Sequence, residues 1–268
     1  MKTPSFFTFA LLLGGSFALL SGCKKDNDLT GTGTVTFEME NNAGGTAIKP
    51  DGTTVYTTTT TPKETFNLTT FEYFISNVVL TKADGSTYAV PNFYHLVDAA
   101  NAASSHFTIS GVPAGDYSGM QFMIGVDSTM TKADPLTFTG ALNDLNPANG
   151  MYWAWNTGHI FLKVEGNVTS ASNQALRAHI GGFRKPFGAN VVAKPSFNGS
   201  TLFVRTDHSP EIHYSVDVLK IFNGPTVFPL GTFPTSMAPG KVSVQVANNY
   251  GNGTDGGGMF SVEHIHAN

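Results

Sequence analysis

The segment Thr34-Val35-Thr36-Phe37-Glu38-Met39-Glu40 decides the fold class, because apolar and polar side chains alternate through it with a period of two. Residues two apart project from the same face of a strand, so the pattern predicts a strand with one buried face. Further apolar, aromatic and β-branched runs are bounded by turn residues, and we interpret them as additional strands. These runs cover residues 71–80, 107–109, 119–126, 160–164, 201–206, 212–222 and 241–246.

The connections between these runs also favour sheets. Ala83-Asp84-Gly85-Ser86 is a tight-turn sequence between two apolar runs and predicts a hairpin. Residues 134–149 are rich in Pro and Asn and predict a long loop or a short helix, and residues 218–222 are too few for periodicity to separate helix from strand. Many short strands spaced by turns predict an all-β fold, either a sandwich or a barrel.

Composition excludes some classes of protein. Charged residues make up only 13% of the chain, and 15 basic against 19 acidic residues give a net charge of −4. Nucleic-acid binding needs a basic surface, so the charge argues against a nucleic-acid partner. The apolar content does not indicate disorder, and the length suits one large β domain or two small ones.

The N-terminus has the features of an export signal. Lys2 precedes an apolar stretch over residues 6–20, and Ser21-Gly22 stands directly before Cys23, the one cysteine of the chain. The stretch is too short for a stable membrane span. Small residues followed by cysteine resemble a bacterial lipobox, although a chance cysteine in an ordinary signal peptide is the alternative. We therefore expect a signal peptide over 1–22, a lipidated tether over 23–33 and a folded domain over 34–268.

This interpretation predicts a location in the cell envelope. The acyl group on Cys23 would anchor the protein to a membrane, expected to be the outer membrane, with either the periplasmic or the outer surface as the side exposed. A polar, glycine-containing tether between the lipid and the fold is consistent with that arrangement.

Histidines offer the clearest candidates for chemistry. His264 and His266, in Glu263-His264-Ile265-His266, would lie side by side on a strand and suit a late first-row metal. The alternative is that they are two surface histidines near a chain end, which would give the same sequence pattern. His179 precedes a Gly-Gly turn, and His213 follows Ser-Pro-Glu by one residue; histidines in such contexts are more often surface or hydrogen-bonded residues than ligands. For His95 we expect a structural role, bonded to Asp98 or to the backbone.

Both tryptophans fall in one segment, Met151-Tyr152-Trp153-Ala154-Trp155-Asn156-Thr157-Gly158-His159. A spacing of two would place Trp153 and Trp155 on the same face of a strand. The simplest interpretation of the segment alone is an aromatic pair in the core. No nucleophile and base in a recognisable pattern accompany it, so we expect a protein that is not an enzyme.

Several segments together resemble the MbnP-like family of copper-binding proteins. They are GTVTF (33–37), FEYFISNV (71–78), YHLVD (94–98), GDYSGMQFMIGVD (115–127), GMYWAWNTGHIFLKVEG (150–166), HIGG (179–182), VDVL (216–219) and the C-terminal residues 259–266. The resemblance implies an antiparallel β-sandwich with long loops and room for one short helix. It also implies copper bound by histidines and a kynurenine, which a partner di-haem enzyme similar to cytochrome c peroxidase makes from tryptophan.

Carried onto this sequence, the resemblance predicts His264, His266, His179 and His213 as metal ligands and either Trp153 or Trp155 as the modified residue. Indole has no basic nitrogen to offer a metal, whereas the aniline nitrogen of kynurenine can ligate. His159 departs from the family pattern. It is either an extra ligand or a replacement that has no effect on the site. The competing hypothesis is a cell-surface β-sandwich module that binds a glycan or a protein without a metal.

Overall fold

A computed structural model describes residue 1 and residues 29–143, 150–156, 158–172, 174–251 and 258–266. The predicted signal peptide, Cys23 and the first part of the tether lie outside the described residues. Strands account for 46% of the structure and helices for 16%, which confirms the all-β prediction. In the described residues no helix is long and apolar enough to cross a membrane.

The strands are β1 Thr32–Ala43, β2 Thr46–Ala47, β3 Tyr56–Thr57, β4 Thr65–Lys82, β5 Thr87–Ala89, β6 Tyr94–Asp98, β7 His106–Pro113, β8 Gly115–Ile124, β9 Tyr152–Trp153, β10 Gly158–Val168, β11 Gln174–Gly181, β12 Val191–Ala193, β13 Leu202–Val204, β14 Glu211–Asp217 and β15 Phe260–His266. The α-helices are α1 Ser128–Thr131, α2 Leu219–Phe222 and α3 Lys241–Gly251. Short 3-10 helices span Ala102–Ser105, Pro135–Thr137, Gly140–Leu142, Thr169–Ala171 and Leu230–Thr232.

Two open sheets form the sandwich. The smaller has the order β15-β14-β1-β2, with β7 also paired to β1, and the larger has β11-β10-β4-β8-β12 as its main path. Most strand pairs are antiparallel, as predicted, but β1 and β14 run parallel. A parallel pair needs a long crossover connection, and here the chain between β1 and β14 builds the larger sheet before it returns.

The core lies between the two sheets. In β1 the side chains of Val35, Phe37 and Met39 are buried, which confirms the strand predicted from residues 34–40. Phe122 of the larger sheet packs edge-on against Tyr214 and Phe260 of the smaller one, with ring centroids 6.0 Å and 4.9 Å apart. Because alternate residues of β1 face the core, Glu38 and Glu40 project from the outer face of the smaller sheet.

The local predictions hold in some places and fail in others. The predicted hairpin is present, since Val79 pairs with Ala89 on either side of the turn at residues 83–86. Residues 219–222 form α2, with Val218 as its N-cap, so the strand predicted over 212–222 ends at Asp217. The strand predicted over 241–246 is wrong: this segment is the start of α3, because Ser243, Val246, Ala247 and Tyr250 are buried at helical spacing.

Candidate metal site

Three histidines meet on the outer face of the smaller sheet. His213 of β14 lies directly opposite His264 of β15, and His266 lies opposite Glu211. The ring centroid of His213 is 4.1 Å from that of His264 and 4.9 Å from that of His266, and the last two are 4.5 Å apart. One ring nitrogen from each histidine lies within 4.8 Å of the others, a spacing that a single metal ion could bridge.

A β-bulge in β15 puts the two C-terminal histidines on this face. Phe260 and Val262 point into the core, and strict alternation would send His264 and His266 the same way. The register shifts at this point, so that Val262 lies opposite Tyr214 and His264 opposite His213, with Glu263 as the extra residue. The bulge therefore moves the alternation by one position and turns both imidazoles outward.

Carboxylates surround His213. Its Nδ1 atom lies 3.0 Å from Glu38 Oε2 and 3.9 Å from Glu40 Oε1, both from the neighbouring strand β1. Its Nε2 atom lies 3.9 Å from Glu211 Oε2, while the other oxygen of Glu211 is 2.8 Å from His106 Nε2. Carboxylates this close favour a cation at the histidines, and a carboxylate beside a ligating imidazole can orient the ring.

The residues present fit a metal ion. Both ring nitrogens of His213 are shielded from solvent, and neither makes a hydrogen bond within the described residues, although Glu38 Oε2 lies 3.0 Å from Nδ1. A buried polar atom without a partner costs roughly 1–3 kcal/mol, which a metal ligated by that atom would offset. Three imidazoles with carboxylates and no thiolate form a donor set suited to copper or zinc.

His179, the remaining histidine predicted as a ligand, does not join this cluster. It lies on β11 in the larger sheet, where its Nε2 is 2.7 Å from Glu165 Oε1 and its side chain is 9% exposed. Burial lowers the pKa of His179 below its ordinary value, and the interaction with Glu165 partly opposes that shift. The structure thus brings together three of the four predicted ligands.

The tryptophans lie at the larger sheet, Trp153 within it and Trp155 just beyond it. Trp153 ends the short strand β9 opposite Gly158 and is only 5% exposed, whereas Trp155 lies in the following turn and is 67% exposed. Because β9 ends at Trp153, the two residues do not share a strand face, although their ring centroids are 5.8 Å apart. Within the described residues neither indole has a ring contact with His213, His264 or His266, so the tryptophans do not join this histidine cluster.

The other histidines have separate surroundings. His159 is 2% exposed among aromatic rings, and burial lowers its pKa to about 4. His95 Nε2 lies 2.7 Å from the carbonyl oxygen of Ser104, which is the backbone contact expected for a structural histidine. His208 lies beside Asp207.

Sequence reasoning missed the acidic residues of the site and His106. Glu38 and Glu40 are visible in the sequence as the outward residues of the first strand, which is the one local signal that could have identified them. That Glu38 and Glu40 lie beside His213 could not be inferred from the sequence. Their proximity depends on the pairing of β1 with β14 and with β7, which the order of strands in the sheet determines.

Comparison with known proteins places this fold. No curated protein matches the sequence. The solved structure of MbnP from Methylosinus trichosporium is similar with a TM-score of 0.52 at 13% identity, over 88% of this chain and 99% of that one, a likeness of fold. The model of the MbnP family matches residues 32–237, a stretch that includes His213 and ends before His264. Since that match covers most of the chain, the protein belongs to the MbnP family.

Proposed function

We propose that this protein is a copper-binding lipoprotein of the cell envelope, without catalytic activity, whose metal site consists of His213, His264 and His266. Membership of the MbnP family suggests a role related to copper. The observation that carries the choice of site is the convergence of three imidazole nitrogens within 4.8 Å of one another on one sheet face.

The chemistry of the site suits copper as cargo. Imidazole binds both common oxidation states of copper, and no cysteine competes for the ion in the folded domain. The rings of His264 and His266 stand on an exposed face, so an ion could enter and leave without opening the core. Glu38, beside Nδ1 of His213, would hold that ring in its orientation.

For the tryptophan modification we propose Trp155 as the target of a di-haem enzyme similar to cytochrome c peroxidase. An exposed indole can be reached by a partner protein, and Trp155 is 67% exposed against 5% for Trp153. The three histidines supply a ligand set without the kynurenine. Copper binding in Trp155→Phe should therefore match the wild type, and a mass change after coexpression with the partner should map to Trp155.

Copper titration of the metal-free protein tests the site. We expect one copper ion per wild-type molecule and a loss of affinity of more than about 100-fold in His264→Ala/His266→Ala, because removing ligands should exceed the 10–100-fold effect typical of outer-shell residues. His208→Ala is the matched control, since that histidine lies outside the cluster. Unchanged copper binding in the double variant would refute the assignment.

The competing proposal, a metal-free module for glycan or protein ligands, also has a specific observation in its favour. Trp155 is an exposed aromatic residue away from the histidine cluster. Its ring lies beside that of Trp153, which lines a cleft in the surface. Ligand binding that survives a chelator and the loss of both C-terminal histidines would favour this function.

A further inference from the structure

A cleft beside the two tryptophans has no part in the histidine site. It has a volume of about 140 Å³ and lies between the turn after β9 and the segment that follows β11. The residues that line it include Trp153, Gly182, Phe183, Arg184, Lys185 and Phe187. This volume is below the roughly 300–1,000 Å³ typical of sites for drug-sized ligands, so the cleft suits a ligand of one ring.

The walls of the cleft are flat and apolar. Trp153, Phe183, Phe187 and Pro239 supply most of them, and Trp155 stands beside the cleft with its ring centroid 5.8 Å from that of Trp153. Gly182 has a φ of +115°, and a side chain there would collide with Phe187 O and Pro239. Glycine at this position lets the backbone at Phe187 and the side chain of Pro239 approach closely.

The charge of the cleft has one sign. Arg184 and Lys185 line it, and none of the described lining residues is acidic. Among the described residues neither of these cations makes an ion pair, and the Arg184 guanidinium lies 5.1 Å from the centre of the Phe183 ring. A contact at this distance is within the range of a cation–π interaction, which leaves the N–H groups of the guanidinium available to an acceptor.

We propose that this cleft binds a small molecule that carries a carboxylate on a six-membered ring with an apolar face. Aromatic walls favour a ring that can stack, and a guanidinium next to an ammonium favours an anionic group with two acceptor oxygens. Two classes of ligand share this chemistry: aromatic acids, and sugar acids of the uronate type. Titration with one acid of each class distinguishes them.

The tryptophans themselves provide the assay. The chain has only two, and both adjoin the cleft, so a ligand that enters it should change the intrinsic tryptophan fluorescence. Metal-free protein is titrated with benzoate and its neutral counterpart benzyl alcohol, and separately with glucuronate and glucose. We expect saturable binding of at least one acid, about tenfold or more tighter than its neutral counterpart, because hydrogen bonds to a charged group are stronger than neutral ones.

Charge variants complete the test. Arg184→Gln/Lys185→Gln should lose the preference for the acid, and Lys220→Gln, which removes an exposed charge on α2, should keep it. The acid that binds identifies the class of the ligand. Absence of saturable binding by both acids, equal binding of a neutral counterpart, or an acid preference that survives in the double variant would each overturn the proposal. Since no metal is present, none of these results depends on the copper site.

Discussion

Glu72 of β4 should destabilise the folded protein at neutral pH. Its carboxylate lies in a row across the larger sheet, opposite Asp98 of β6 on one side and Lys163 of β10 on the other. The side chain is 9% exposed, and Oε2 makes no hydrogen bond in the part of the chain that the structure describes, with Lys163 Nζ 3.5 Å away. Burial is the main cause that raises the pKa of Glu72 from 4.5 to about 6; Lys163 opposes the rise, and Asp98 and Glu165 add to it.

The size and sign of the effect follow from this pKa. Between about pH 4.5 and 6 the unfolded chain releases a proton that the folded protein retains, so the free energy of unfolding falls as the pH rises through this window. The shift corresponds to roughly 2 kcal/mol, and partial access of solvent reduces it to about 1–2 kcal/mol. Glu72→Gln keeps the shape of the neutral acid and should recover that amount near pH 8, but almost nothing near pH 4.

Urea unfolding of the metal-free protein at the two pH values measures the difference. For a domain of this size 1 kcal/mol corresponds to about 2–4 °C in Tm, so calorimetry offers a second assay. Glu263→Gln, a change at an exposed position in β15, controls for the loss of one negative charge. A Glu72→Gln protein less stable than the wild type near pH 8, or equally stabilised at both pH values, would refute the reasoning.

Three further predictions concern the site and the anchor. Glu38→Gln should weaken copper binding by about 10–100-fold with the stoichiometry unchanged, since Glu38 would orient His213; an unaltered dissociation constant in a competition titration would contradict this. Deleting Glu263 removes the extra residue of the bulge but leaves Val262 opposite Tyr214 and His264 opposite His213, so strict alternation should keep both C-terminal histidines on the outer face; copper titration should then show a retained site, and lost binding would count against this register. Cys23→Ala should leave the protein unprocessed or soluble, and detergent partitioning equal to that of the wild type would argue against a lipid anchor.

Local patterns predicted local structure well. Alternation over residues 34–40 is sufficient to define β1, because a half-buried strand needs only its own side chains to be recognised. The same rule failed for Lys241–Gly251, where Val242, Val244 and Val246 alternate like a strand. That segment is a helix because its buried positions face the neighbouring elements at a spacing of three and four, a tertiary effect that alternation does not report.

The candidate site was predicted only in part for a similar reason. His264 and His266 do share a face, as their spacing predicts, but the bulge at Glu263 decides which face it is. His213 joins them through the pairing of β14 with β15, and Glu38 joins through the parallel pairing with β1. Neither pairing can be read from the segments alone, since sheet order depends on contacts distant in sequence.

The most direct test of the three-histidine site is a crystal structure of the copper-loaded protein with anomalous scattering measured at the copper edge. The account predicts one anomalous peak on the outer face of the smaller sheet, about 2 Å from a ring nitrogen of each of His213, His264 and His266, the usual distance between a metal and imidazole. A peak at any other place, such as the surroundings of Trp153 and His179, or a loaded crystal without a copper peak at the histidines, would contradict it.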